Sequence, residues 1–186
     1  MKKLSLSAFL FICVFTKLAG AQGGYVINQK NDTIRCYEVK TNSFDKVKFK
    51  VKAKDAIQTA YPDVIKEFQT SSDSSIFVAK RVFDTVKGNY LKWIERGRIN
   101  FYKIISRAND YYWYASKNND SLHCLRIDYY KGVLNSGNKK LKKIFIEMIS
   151  DQPALLAEFK ANNDYDADTI QTVIANYNIA AAAGKK

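Results

Sequence analysis

Two hydrophobic periodicities divide the chain. From Gly24 to about Ile127, apolar residues recur at every second position in short runs rich in β-branched and aromatic side chains, the mark of half-buried strands. Tyr25–Asn28 and Thr33–Lys40 flank Lys30-Asn31-Asp32, a hairpin turn. Val47, Phe49 and Val51 alternate with lysines. Ala56–Tyr61 and Val64–Phe68 bracket a bend at Pro62-Asp63, and Ile76–Phe83 follows the loop Thr70–Ser75. Tyr90–Glu95 carries the signals of both a strand and a short helical turn. After Gly97 the strand pattern resumes over Ile99–Ile105, and Tyr111–Ser116 and Ser121–Ile127 flank a second hairpin at Asn118-Asn119-Asp120. Roughly eight short strands at this spacing predict an antiparallel sheet or partial barrel.

Beyond a connector at Lys131–Asn138 the period becomes helical. Leu141, Ile144, Phe145 and Met148 share one face. Asp151-Gln152-Pro153 ends that helix and starts the next, which buries Leu155, Leu156 and Phe159. Asp166 caps a third, whose Ile170, Val173, Ile174 and Tyr177 face inward. Helices this short need tertiary partners in water. The prediction is therefore one α+β domain over 22–180, β-rich over 24–127 and helical over 138–179, with a frayed tail at 181–186.

The first segment reads as an address. Met1-Lys2-Lys3, an apolar run from Leu4 to Thr16, and Ala19-Gly20-Ala21 before Gln22 form the charged, apolar and small-residue zones of a secretory signal peptide. The run is too short to span a bilayer, and Ile12 before Cys13 does not fit a lipid-attachment site. Cleavage after Ala21 leaves an exported chain, periplasmic or secreted. It lowers the net charge from +12 to +9, because three lysines and no acids are lost. Cys36 and Cys124 then remain, a candidate disulfide worth ~4 kcal/mol in the chain-entropy description; two buried free thiols are the alternative.

Charge and aromatic patterning nominate two contact surfaces. Lys46, Lys48, Lys50, Lys52 and Lys54 alternate with Val47, Phe49, Val51 and Ala53, so an unbroken strand would present five ammonium groups on one face. Such a face suits an envelope polyanion or acidic glycan, and nucleic acid fits an exported chain least; a solvated face that discourages edge pairing is the alternative. In Tyr111-Tyr112-Trp113-Tyr114, one alternating pair enters the core, leaving Tyr112 and Tyr114 as candidates for contact with sugars or other planar groups.

Catalytic signals are sparse. His123 is the only imidazole, and a strand turns its neighbour Cys124 to the opposite face. No phosphate loop, nucleophile elbow or zinc motif occurs. Asp164, Asp166 and Asp168 echo a calcium loop, but the required Gly and Glu are missing in either register, so capping explains them better. No catalytic, cofactor or metal residue is assigned. Asp32-Thr33-Ile34, Asp84-Thr85-Val86, Asp120-Ser121-Leu122 and Asp168-Thr169-Ile170 also fit a short O-glycosylation triplet, a pattern that turns and caps favour on their own.

Several short motifs together resemble an uncharacterised family of exported proteins from the Bacteroidetes. They are Gly24-Tyr25-Val26-Ile27, Asn31-Asp32-Thr33-Ile34, Tyr61-Pro62-Asp63-Val64-Ile65, the Gly97-to-Tyr102 strand, Asp151-Gln152-Pro153 and Asn176-Tyr177-Asn178. The resemblance implies envelope localisation and a β-then-helical layout. In that family such a domain can precede an outer-membrane β-barrel, which the few residues after Asn178 do not provide here. It brings no catalytic residue. The expectation is a non-enzymatic binding or interaction module acting on an envelope polyanion, glycan or protein. A carboxylate-based hydrolase of envelope glycans and a purely structural periplasmic domain are the alternatives.

Overall fold

The computed structural model describes residues 23–82, 88–106, 108–129, 138–162 and 164–184. The predicted leader with Cys13, the triplet Asp84-Thr85-Val86 and residues 131–137 of the connector lie outside these ranges. Eleven strands and three helices follow one another: β1 Tyr25–Asn28, β2 Thr33–Arg35, β3 Glu38–Lys40, β4 Val47–Lys50, β5 Gln58–Ala60, β6 Ile65–Gln69, β7 Ile76–Lys80, β8 Asn89–Glu95, β9 Ile99–Ile105, β10 Tyr111–Lys117, β11 His123–Asp128, α1 Asn138–Met148, α2 Pro153–Asn162 and α3 Ala167–Ala183. The fold is α+β, and every strand pairing is antiparallel.

Eight strands form one open sheet in the order β11-β10-β9-β8-β7-β6-β1-β2, and β3-β4-β5 form a second, smaller sheet. The segment read from sequence as one strand, Thr33–Lys40, divides at Cys36-Tyr37: β2 finishes the edge of the large sheet and β3 opens the small one. Alternation persists through the crossing, so periodicity alone cannot show the change of sheet. Tyr90–Glu95 lies within strand β8.

Turn chemistry matches the sequence. Asn118 and Asn119 both have positive φ, 52° and 62°, and Asp120 N–H donates to the Lys117 carbonyl, the geometry that suits the twist of a two-residue hairpin. At the first hairpin Asn31 takes φ 70°, and the Asn28 side chain accepts from the N–H groups of Lys30 and Asp32 at 2.8 and 2.9 Å.

Two layers cover different parts of the large sheet. The small sheet packs Val39, Val47, Phe49 and Ala60 onto Val26, Ile65, Phe68 and Tyr90. The helices pack Phe145, Ile149, Phe159, Ile170, Ile174 and Tyr177 onto Ile99, Phe101, Trp113 and Leu125. Ser71 ties the sheets together: its hydroxyl accepts from Gly24 N–H at 3.1 Å and Val39 N–H at 2.8 Å. Gly24 permits this approach, since a Cβ there would lie 2.2 Å from the Gln69 carbonyl oxygen.

Asparagine side chains join helices to strands. Asn138, the first residue of α1, accepts from Ile127 N–H at 3.2 Å and donates to Ile127 C=O at 3.3 Å on edge strand β11. At Ile127 a side-chain amide thus takes the place of a neighbouring strand's peptide group. Asp166 caps α3 as expected, accepting from Thr169 N–H at 2.7 Å. The predicted fray point at 180 falls inside α3, because the alanine run 180–183 is strongly helix-forming and the helix stops only at Gly184.

Candidate functional site

One row of side chains crosses the large sheet between its two covering layers. Phe77 pairs with Lys92, Lys92 with Lys103, Lys103 with Trp113, and Trp113 with Arg126. Phe77 packs against the core beneath the small sheet, and Trp113 belongs to the helix-covered core. The two layers leave the middle of the row open, and two lysines occupy it. Like charges directly opposite one another destabilise an antiparallel pair, so this position departs from ordinary sheet chemistry.

A cleft of about 660 Å³ lies over this row. Phe77, Tyr90, Lys92, Lys103 and Tyr111 line it together with the end of β9 (Ile104, Ile105), the turn residues Ser106 and Asn109, and the loop Thr41–Asp45. That loop is anchored where Tyr90 N–H donates to the Phe44 carbonyl at 2.6 Å and where the Thr41 hydroxyl donates to Lys46 C=O at 2.8 Å. Tyr90 is held from below: its hydroxyl donates to the Ile65 carbonyl at 2.9 Å, and burial raises its pKa.

The lysines are poorly neutralised. Lys92 Nζ lies 3.8 Å from an Asp73 carboxylate oxygen, at the limit of an ion pair. Lys103 Nζ sits 4.1 Å from the centre of the Tyr111 ring and 4.7 Å from that of Trp113, with no carboxylate within 4.0 Å among the described residues. Burial and the adjacent Lys92 lower the Lys103 pKa, against the opposing pull of Asp128 and Asp168. The one carboxylate on the described lining, Asp45, accepts a hydrogen bond from the Ser43 hydroxyl. The described lining therefore offers positive charge, aromatic faces, hydroxyl and amide groups and a single carboxylate.

The residues nominated from sequence lie elsewhere. β4 ends at Lys50, so the five-lysine ladder does not form: Lys46 precedes the strand, while Lys52 and Lys54 occupy a turn closed by Lys52 N–H donating to the Asp55 carboxylate at 2.9 Å. Lys48 and Lys50 do share the outer face, opposite Lys40 and Glu38. They do not guard an edge, because β4 is paired on both sides.

Tyr112 and Tyr114 are half-buried in a third cluster with Val78, Leu91, Tyr102 and Ile104. The exposed ring of the aromatic run is Tyr111, at the mouth of the cleft. Sequence alternation assigned the two pairs to opposite faces, but both faces of this sheet carry apolar clusters, so neither pair is left wholly outside.

Cys36 and Cys124 are free thiols, and the candidate disulfide is not made. Cys36 follows edge strand β2, within the cluster beneath the small sheet, and Cys124 lies on the opposite edge strand, β11. Burial pushes the Cys124 thiol up to about 11, unfavourable for a nucleophile. His123, beside it, is exposed at the start of the strand. Asp164, Asp166 and Asp168 do not form an ion site: among the described residues no group of three or more His, Cys, Asp or Glu side chains could hold a metal.

Sequence reading missed Lys92 and Lys103. Each stands alone between large apolar residues, Leu91 and Trp93 or Tyr102 and Ile104, a local signal that was visible. Their pairing depends on strand register, which was not. Compared with family models, curated proteins and solved structures, the chain matches none. No described helix is long and apolar enough to cross a membrane.

Proposed function

We propose that this is an exported cell-envelope binding module that takes its ligand in the cleft between the Thr41–Asp45 loop and the β9–β10 turn and carries out no chemistry on it. The observation that carries the reading is the cleft floor, where Lys92 and Lys103 face one another across two strands among Phe77, Tyr90 and Tyr111. Unlike the directly opposed Lys40 and Lys48 on the outer face of the small sheet, this like-charged pair lies on the floor of a cleft, among aromatic side chains that can hold an apolar ligand. The volume lies within the range of small-ligand sites, and its mixture of apolar walls with a few polar groups is the usual composition of such sites. The sequence resemblance to exported Bacteroidetes proteins and the signal-peptide pattern of residues 1–21 support the location.

The test uses Nile red, a neutral apolar dye, with the mature protein. Saturable one-to-one binding is expected. Asn42→Trp, an exposed substitution on the cleft lip, and Ile105→Arg on the opposite side should each abolish it without altering the far-UV spectrum. Absence of dye binding, or binding indifferent to both substitutions, refutes the cleft as the ligand site. A mature amino terminus at Gln22 after export checks the leader.

A further inference from the structure

Resting on that reading, we infer that the ligand is an anionic amphiphile: an apolar body ending in a carboxylate or phosphate, with the oxyanion on Lys103 and Lys92 beside it and the body against Phe77, Tyr90 and Tyr111. Three observations converge. The Lys92–Lys103 pair is directly cross-strand, so the unliganded sheet carries a repulsion that an intervening anion relieves. Lys103 Nζ lies 4.1 and 4.7 Å from the centres of two aromatic rings, with no carboxylate within 4.0 Å among the described residues and Asp128 and Asp168 acting only from farther off, so its hydrogen-bond donors are available to an incoming oxyanion. The same cleft adds aromatic and aliphatic walls, which a free inorganic anion would not use.

Charge complementarity also limits the partner. Two ammonium groups over one cleft match a single headgroup, whereas a polyanion requires a continuous basic track. Asp45 does not compete for Lys103, since its hydrogen bond goes to Ser43 and it forms no ion pair with either lysine. Asp73 holds Lys92 only at 3.8 Å, so a bound oxyanion can draw that ammonium inward at small cost. A lysine pair merely extended into water makes the opposite prediction: neutral and anionic amphiphiles would bind alike.

Displacement of Nile red from the mature protein decides the matter, using monomeric decanoate, decyl phosphate, decan-1-ol and inorganic phosphate. Decanoate and decyl phosphate are expected to bind about tenfold or more tightly than decanol, the effect of one charge-assisted contact. Lys103→Met, which keeps an apolar stem, should bring decanoate and decyl phosphate to within about twofold of decanol in the same variant, and Lys103→Arg should preserve their advantage. Equal affinities for decanol and decanoate, or an unchanged preference in Lys103→Met, overturn the inference while the cleft reading stands. Loss of dye binding to the unsubstituted protein instead removes the cleft reading itself. Inorganic phosphate as strong as decyl phosphate overturns the amphiphile. Retention on phosphatidylglycerol vesicles without binding of monomeric decyl phosphate overturns it in favour of a membrane surface.

Discussion

Asn178 makes both backbone hydrogen bonds of Ile99: its amide oxygen accepts from the Ile99 N–H at 2.8 Å, and its amide nitrogen donates to the Ile99 carbonyl at 2.8 Å. The two residues lie 79 positions apart, so one side chain on α3 registers the last helix against the start of β9. Gly97 makes room, since a Cβ there would lie 2.3 Å from the Asn178 side chain. Nearby, Asp151 accepts from the Tyr177 hydroxyl at 2.9 Å and pairs with Lys117 at 2.8 Å and Arg98 at 3.5 Å. Three of the motifs on which the family resemblance rests, Gly97-to-Tyr102, Asp151-Gln152-Pro153 and Asn176-Tyr177-Asn178, thus converge on one joint. Their roles there are architectural.

Asn178→Ala is expected to cost ~2 kcal/mol, because Ile99 is fully buried and both its backbone groups lose their partner. Gly97→Ala must displace the same side chain. Urea unfolding of the two single variants and the double variant should show a double cost smaller than the sum of the singles. Strict additivity would mean that Gly97 and Asn178 do not share this contact.

Acid should weaken the β6–β7 turn through Asp73. Hydrogen bonds from the Ser75 and Thr70 hydroxyls, aided by Lys92, lower its pKa to about 2, below the ordinary aspartate value of about 3.9. A depressed carboxylate adds stability above its unfolded pKa and loses it as pH falls through the folded one. Asp73→Asn should therefore be less stable than the parent at pH 7, with the difference shrinking between pH 4 and pH 2. A gap that stays constant over that interval contradicts the assignment.

Both thiols should resist modification in the folded state. Burial raises the pKa of Cys36, and that of Cys124 reaches about 11. Iodoacetamide at pH 7.5 is expected to label neither quickly, and to label both once urea unfolds the chain. An intact mass short of two hydrogens would instead reveal a bridge.

Asp166→Ala should cost ~1 kcal/mol through loss of the α3 cap. Calcium and EDTA should leave the melting temperature of the parent protein equal. A rise with calcium that Asp166→Ala abolishes would restore the ion-site reading.

Much of the fold was legible because local sequence carries it. Alternation located most strands, the asparagine pair specified the second hairpin, and Asp166 together with the 3.6-residue stripe at Ile170, Val173, Ile174 and Tyr177 specified α3. The lysine ladder failed for a tertiary reason: Lys52 and Asp55 close a turn where the alternation continues on paper. Likewise, Tyr112 and Tyr114 are partly covered because the sheet has apolar neighbours on both faces.

The sequence by itself determined most of the strands, the three helices, the two asparagine hairpins and that the chain is basic, since these follow from side-chain period, backbone preference and formal charge. Only the tertiary structure decided that Thr33–Lys40 serves two sheets, that Cys36 and Cys124 lie at opposite edges, and that Lys92 faces Lys103 beneath a cleft. Those relationships depend on strand order and register. Both are set by how separate apolar faces pack together, and neighbouring residues in the chain do not encode them.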